Sequence, residues 1–233
     1  MSSLEKTPAV RREIPAVYKA VRAVGTFRPK FNPSNGKIFS DELNVIGTAF
    51  WLSEFKVLIT CAHVVQAILG LPLELAGLLV VGNAGKYRRA IIDQIDLRHD
   101  IAVLRLVDEE NKFLSGMELQ KESDDGLVII DKYPNVSTEV SYSGFPLGEQ
   151  LLNQIHASTY SEGVIGIQRR ENEIRKEIQV SGAVVGGFSG SPVVMKGTDE
   201  VIGMLSNGPE KSANIFMAIS WEHIKAAADL ANS

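Results

Sequence analysis

The chain has 233 residues, and 24 Lys and Arg stand against 28 Asp and Glu, leaving a formal charge of −4; that balance excludes nonspecific DNA binding or an anionic membrane surface as its main partnership. A hydrophobic share of 45% with 22% charged residues excludes extensive disorder, and the length allows a real core in one large domain or two small ones. The single cysteine, Cys61, excludes an intrachain disulfide and a four-cysteine zinc site.

The opening MSSLEKTPAVRREIPAV has no apolar core between a basic start and a small-residue cleavage site. No secretory signal is expected, and Glu5 and Glu13 fit a transit peptide badly. Residues 1–20 read as an N-terminal extension and a cytoplasmic setting is the expectation. Short β-branched runs bounded by Gly, Pro, Asn or Asp then follow: VIGTAFWL (45–52), KVLITCAH (56–63) and IAVLRLV (101–107). After His63, VVQAIL carries a short helical pattern. The longest apolar stretch, Ala67 to Gly82, is interrupted by Pro72 and Glu74 and falls short of the ~20 residues of a spanning helix, so it reads as a buried helix-to-strand connection. The acidic KESDD (121–125) is the expected linker between an N-terminal unit, 21–120, and a C-terminal one, 121–219.

Beyond it come GLVIID (126–131), EVSYSGF (139–145), GVIGIQ (163–168), EIQVSG (177–182), SPVVM (191–195) and EVIGMLSN (200–207). Gly163 to Gly182 reads as a hairpin with the solvated tip RRENEIRK. From Ser220, which is placed to cap it, WEHIKAAADLA predicts a C-terminal helix over 220–233. Many short strands with frequent turn signals indicate an all-β fold of barrel or sandwich type.

Three local sequences carry chemistry together. GTAFWL followed by LITCAHVV brings an apolar strand to His63 where the chain turns into the helix. RHDIAVLRL places Asp100 at the head of an apolar strand. GGFSGSPVV surrounds Ser189 with glycines that permit a tight turn with converging N–H groups. Acyl transfer needs a serine activated by a base, a group that orients the base, and donors for the developing oxyanion. His63, Asp100 and Ser189 offer the first two, and the Gly187 and Ser189 amides can offer the third.

With these motifs, and with SGFPLG (143–148), VIGMLSNG (201–208) and IFMAISWEHI (215–224), the sequence resembles the trypsin/chymotrypsin-like serine protease family over about Val21 to Ile224, nearest the HtrA/Deg-type branch. The resemblance implies two packed six-stranded antiparallel β-barrels with a C-terminal helix and a cleft between the barrels. It implies His63 as general base and then acid, Asp100 as its orienting partner, and Ser189 as nucleophile. Gly187 and Ser189 would form the oxyanion hole. Ser206 and Gly208 would pair with an extended protein or peptide substrate as an added strand, and the Ser206 hydroxyl would support Asp100. No cofactor or metal is expected, and neither nucleic acid nor a membrane is expected as partner.

The sequence departs from the family in three places. Phe188 stands where digestive members carry Asp, and no Ile-Val-Gly-Gly start is present, so the loop before Ser189 would be held by Phe188 packing or ordered by substrate or partner. Ala183, six before the serine, lacks the acidic residue of a trypsin-like pocket; with Val184 and Val185 beside it, small or medium apolar side chains are expected before the scissile bond. After MAISWEHI no room for a PDZ module is expected. Cys61 reads as a buried small residue, while His99, His156 and His223 read as packing or surface residues. Two other functions use the same sequence: a catalytically silent fold that grips a peptide or regulatory partner, and an esterase, for which the glycine after Gly187-Phe188-Ser189-Gly190 is missing.

Overall fold

The computed structural model describes residues 14–31, 34–35, 38–70, 78–83, 86–107, 126–146, 158–171, 175–207 and 214–233. Strands β1 (Val21–Phe31), β2 (Ile38–Leu52), β3 (Val57–Thr60), β4 (Leu78–Asn83), β5 (Lys86–Asp96) and β6 (Ile101–Leu106) form the first barrel. Their order is β1-β2-β3-β6-β5-β4, and β4 returns to pair with β1, so no edge strand is left open. Every neighbouring pair is antiparallel. All four residues of β3 are buried, as are Ile101 to Leu104 of β6. These strands are covered on both faces, which is why they read in the sequence as unbroken apolar runs.

The second barrel comprises β8 (Glu139–Gly144), β9 (Thr159–Glu171), β10 (Arg175–Ser181), β11 (Pro192–Met195), β12 (Glu200–Asn207) and β13 (Ile215–Ser220). Its order is β11-β8-β9-β10-β13-β12, closed by the β11–β12 pairing. The two six-stranded antiparallel barrels are the architecture that the resemblance implies. Tyr142, Phe188 and Phe216 pack edge-to-face in the second core, a geometry that suits the ring quadrupoles. The hairpin expected over 163–182 is β9–β10.

Between the barrels, the strand expected over 126–131 contracts to β7 (Val128–Ile129), which runs parallel to β12. Its neighbours serve both barrels instead. Leu127 donates its N–H to Trp51 at 3.0 Å and accepts from the Ser53 N–H at 3.3 Å, while the Ile130 N–H bonds Val201 at 3.1 Å. The expected linker 121–125 lies outside the described residues.

Three helices are described: α1 (Ala16–Ala20), α2 (Ala62–Leu69) and α3 (Trp221–Ala231). The short α1 has no sequence expectation behind it; Val17 and Ala20 bury it in the first core. α3 buries Ile224, Ala227 and Ala228 in that same core. Its end is fixed by Arg105, which bonds the Ala231 carbonyl, and by the Asn232 amide on the Phe55 carbonyl at 3.1 Å. Ser220 stands at the N-cap position but its hydroxyl makes no capping bond; it is buried without a hydrogen-bond partner. None of these helices is long and apolar enough to cross a membrane.

Candidate active site

His63 stands in the first turn of α2. A helix start leaves backbone N–H groups without intrahelical partners, and the N-cap residue Cys61 provides no side-chain cap. Asp100 provides one from the β5–β6 turn. Its carbonyl accepts the Ala62 N–H at 3.1 Å and its Oδ1 accepts the His63 N–H at 2.9 Å. The same carboxylate holds the ring, with His63 Nδ1 at 2.8 Å from Oδ2 and 3.1 Å from Oδ1. This contact places the ring proton on Nδ1 and leaves Nε2 as an acceptor. Asp100 reaches both targets from a left-handed backbone, φ +58°, which Asp tolerates better than most residues. His63 is 39% exposed and Asp100 15% by side chain, so the base opens to solvent while its partner is shielded.

Ser189 lies in the loop between β10 and β11. Gly187 and Gly190 take φ values of +96° and +88°. At Gly190 a Cβ would lie 1.9 Å from the Thr48 carbonyl oxygen, so only glycine fits. Phe188 is 3% exposed and packs on Tyr142. The apolar residue that departs from the family pattern is thus an anchor in the second core. The carbonyls of the loop are engaged: Gly187 by the Thr48 hydroxyl at 2.8 Å, Phe188 by the Ser191 N–H at 2.9 Å, and Ser189 by the Thr48 N–H at 2.9 Å. Among the described residues the Gly187 and Ser189 N–H groups donate to nothing. Sequence reading assigns Thr48 no role; a hydroxyl inside the otherwise apolar TAFWL strand is the signal that marks it.

Ser206 joins the two halves. β12 pairs Leu205 with Ala218 and Asn207 with Met217, so Ser206 is the extra residue of a bulge, a device that re-aims a side chain. Its hydroxyl donates to Asp100 Oδ2 and its carbonyl accepts the Ser189 hydroxyl at 3.2 Å. No hydrogen bond joins Ser189 to His63; the serine is turned toward Ser206. Gly208 lies outside the described residues.

Burial alone would raise the Asp100 carboxyl, but hydrogen bonds from the His63 ring, the Ser206 hydroxyl and the His63 N–H outweigh it and hold the group below its ordinary value. The Cys61 thiol moves the other way. Complete burial, and then the Asp100 charge, push it well up, so it stays protonated and donates to the Leu205 carbonyl at 3.2 Å. Cys61, His63 and Asp100 bring ligand-type atoms within 4.8 Å of one another. A protonated thiol and a carboxylate already shared by His63 and Ser206 suit that cluster to hydrogen bonding.

Ala183 is exposed, and its carbonyl accepts the Tyr142 hydroxyl at 2.9 Å. Beside it, the Gly182 N–H bonds the Asn214 carbonyl at 3.1 Å. Val164, Ser181 and Ile215 form one exposed cross-strand row at the entry to this loop, and Val185 is 50% exposed. His99 and His223 are more closely partnered than their sequence surroundings indicate. Their rings stack at 4.2 Å, His99 Nδ1 lies 2.6 Å from Asp96, and His223 Nε2 accepts the Lys176 N–H at 3.0 Å. The Asp96 contact is local, three positions before His99, whereas the ring stack and the Lys176 contact join elements far apart in the chain, so nearby sequence carries no sign of those two. His156 lies outside the described residues.

The fold is shared with known proteins. The family description "Trypsin-like peptidase domain" matches residues 47–204. Among solved structures, the active form of the Rv3671c protease from M. tuberculosis matches with a TM-score of 0.62 at 16% identity, covering 98% of this chain and 92% of that one. The HtrA-type protease AlgW with a decapeptide matches with a TM-score of 0.64 at 20% identity, covering 94% of this chain and 66% of that one. At these identities the two structures show the fold alone. Among curated proteins none matches the sequence.

Proposed function

Because the chain belongs to the trypsin-like peptidase domain family, we propose that it is a serine endopeptidase acting on protein substrates through His63, Asp100 and Ser189. The observation that carries this reading is the His63–Asp100 pair, 2.8 Å apart, beside a loop whose Gly187 and Ser189 amides are both unengaged. In the reaction Ser189 Oγ attacks the substrate carbonyl carbon and its proton passes to His63 Nε2. The Asp100 carboxylate stabilises the resulting imidazolium. The two amides receive the oxyanion, His63 then protonates the leaving amine, and water releases the acyl group by the same steps in reverse. To engage His63, the Ser189 hydroxyl gives up the Ser206 carbonyl, its acceptor in this structure, for Nε2. Catalytic hydrogen bonds often tighten only when substrate is bound.

A fluorophosphonate probe is expected to label the purified chain at one position, found at Ser189 by peptide mapping. A specific observation also favours a second reading: the absent Ser189–His63 hydrogen bond suits a silent fold that grips an extended segment. Failure to label, with and without added peptide, would select that reading.

The substrate is proposed to lie as an extended strand along Ser206 and Gly208, with a small or medium apolar side chain before the scissile bond. Ala183, Val185 and Ile215 support this preference because the surface they offer carries no charge. A peptide library is expected to return Ala, Val or similar residues at that position, and a clear preference for Lys or Arg would refute it. A cytoplasmic setting and a regulatory partner belong to the same proposal. The buried, protonated Cys61, which leaves the fold independent of oxidation, suits that setting.

A further inference from the structure

The Gly187–Ser189 loop belongs to the second barrel, yet the atoms that hold its Gly187 and Ser189 carbonyls come from β2 of the first. Thr48 is fully buried. Its N–H donates to the Ser189 carbonyl at 2.9 Å and its own carbonyl accepts the Thr60 hydroxyl at 2.7 Å. Its hydroxyl is satisfied in both directions: it accepts the Phe145 N–H at 3.1 Å and donates to the Gly187 carbonyl at 2.8 Å. Gly187 is closed in from the other side as well, for a Cβ there would lie 2.2 Å from the Phe145 carbonyl oxygen. Phe145 and Gly187 are therefore both referred to one oxygen atom of the first barrel. The residue before the nucleophile is Phe188, which packs into the core and offers no charge to order the peptide groups around it.

We propose that Thr48 is the positioning residue of the oxyanion loop: its hydroxyl, by fixing the Gly187 carbonyl, keeps the Gly187 and Ser189 amides turned toward the reacting oxygen. The inference rests on the serine endopeptidase reading. A carbonyl held on one side fixes its peptide plane, and the Gly187–Phe188 plane stands directly between the peptides that carry the Gly187 and Ser189 N–H groups, so holding it limits how far either donor can turn. Without the hydroxyl, the Gly187–Phe188 peptide keeps only the long bond from the Phe188 N–H to the Val185 carbonyl, 3.4 Å, and the donor pair loses its preorganisation, which is where oxyanion stabilisation resides. Thr48 also couples the barrels. The base stands on the first, the nucleophile on the second, and the same residue aligns the two.

The test compares Thr48→Val, which keeps the shape and removes the hydroxyl, with Thr48→Ser, which keeps the hydroxyl. Each is assayed with a fluorogenic peptide, with a peptide aldehyde that forms an oxyanion in the site, and with the matching carboxamide that does not. For Thr48→Val, kcat is expected to fall about 10- to 100-fold, below the 10²–10³ loss for a deleted donor. KM and carboxamide affinity stay within about twofold, and aldehyde affinity falls with kcat. Thr48→Ser is expected to recover most of the loss. Unchanged kcat and aldehyde affinity, parallel loss of aldehyde and carboxamide binding, or failure of serine to rescue would each overturn the proposal. If valine unfolds the chain, as read by thermal melting, Thr48→Ala carries the test; unfolding of both would make Thr48 a general structural residue and overturn it. Fluorophosphonate labelling separates the two levels. An unlabelled native chain defeats the enzyme reading itself, whereas equal labelling of native chain and Thr48→Val defeats only the role of Thr48.

Discussion

Ser189→Ala is expected to lower kcat by about 10⁶-fold, the scale at which loss of a triad serine disables an unrelated protease. The Ser189 hydroxyl is the atom that forms the acyl bond, and no neighbouring side chain replaces it. Cys61, the nearest alternative nucleophile by type, is buried, protonated and bonded to Leu205. Ser191 is also buried and sits behind the loop against Gly144. The amides of Gly187 and Ser189 survive the substitution because they are backbone groups, so a residual acceleration over water of about 10³–10⁴ is expected to remain. The fold is expected to stand, since the variant loses one hydrogen bond to the Ser206 carbonyl, about 1 kcal/mol. Single-turnover cleavage of a fluorogenic peptide, with thermal melting of both proteins, gives the two readouts. Activity within a hundredfold of the native chain would remove Ser189 from the role of nucleophile.

Asp100→Asn is expected to lower kcat by about 10⁴-fold, as tautomer reversal does elsewhere. An asparagine amide facing His63 Nδ1 turns a proton donor toward the ring. The ring proton then moves to Nε2, and the base can no longer accept from Ser189. The substitution is otherwise mild. Asn tolerates the left-handed backbone at φ +58° about as well as Asp, and its carbonyl oxygen can still cap the His63 N–H. The acid behaviour is expected to change too. The folded carboxyl titrates below its ordinary value of 3.8, so its contribution to stability is complete above that value and is lost as pH falls through the folded pKa. The native chain is therefore expected to lose stability below pH 3.8, and Asp100→Asn to show a flatter acid limb in urea titrations. A variant with kcat within tenfold of native would break the assignment of Asp100.

Most of the second barrel is legible in the sequence because its strands alternate or run apolar between turn residues. VSYSG, IQVS and PVV each stand between clear punctuation. β1 and β5 of the first barrel are not. β1 carries Gly25, paired with Val45, at a register shift, and β5 carries Arg88, Arg89, Asp93 and Gln94 with a further shift between Ile92 and Gln94. Each shift breaks the two-residue period on which strand reading relies. α1 is too short for a helical period to register, and only the burial of Val17 and Ala20 marks it.

The candidate site divides in the same way. The residue types, their order along the chain and the glycines around Ser189 follow from the sequence by itself, because nucleophile, base and tight turn each demand particular chemistry at one position. The departure at Phe188 is visible there too. Only the tertiary structure decides that Phe188 is an anchor in the second core, that Asp100 caps α2 while it holds the imidazole, and that a bulge turns Ser206 onto Asp100. It alone brings Thr48 across the barrel junction to hold a loop 139 positions away. The physical reason is that a hydrogen bond is specified by two partners, and a sequence states the chemistry of each without the distance between them. That distance is set by how the two closed barrels pack.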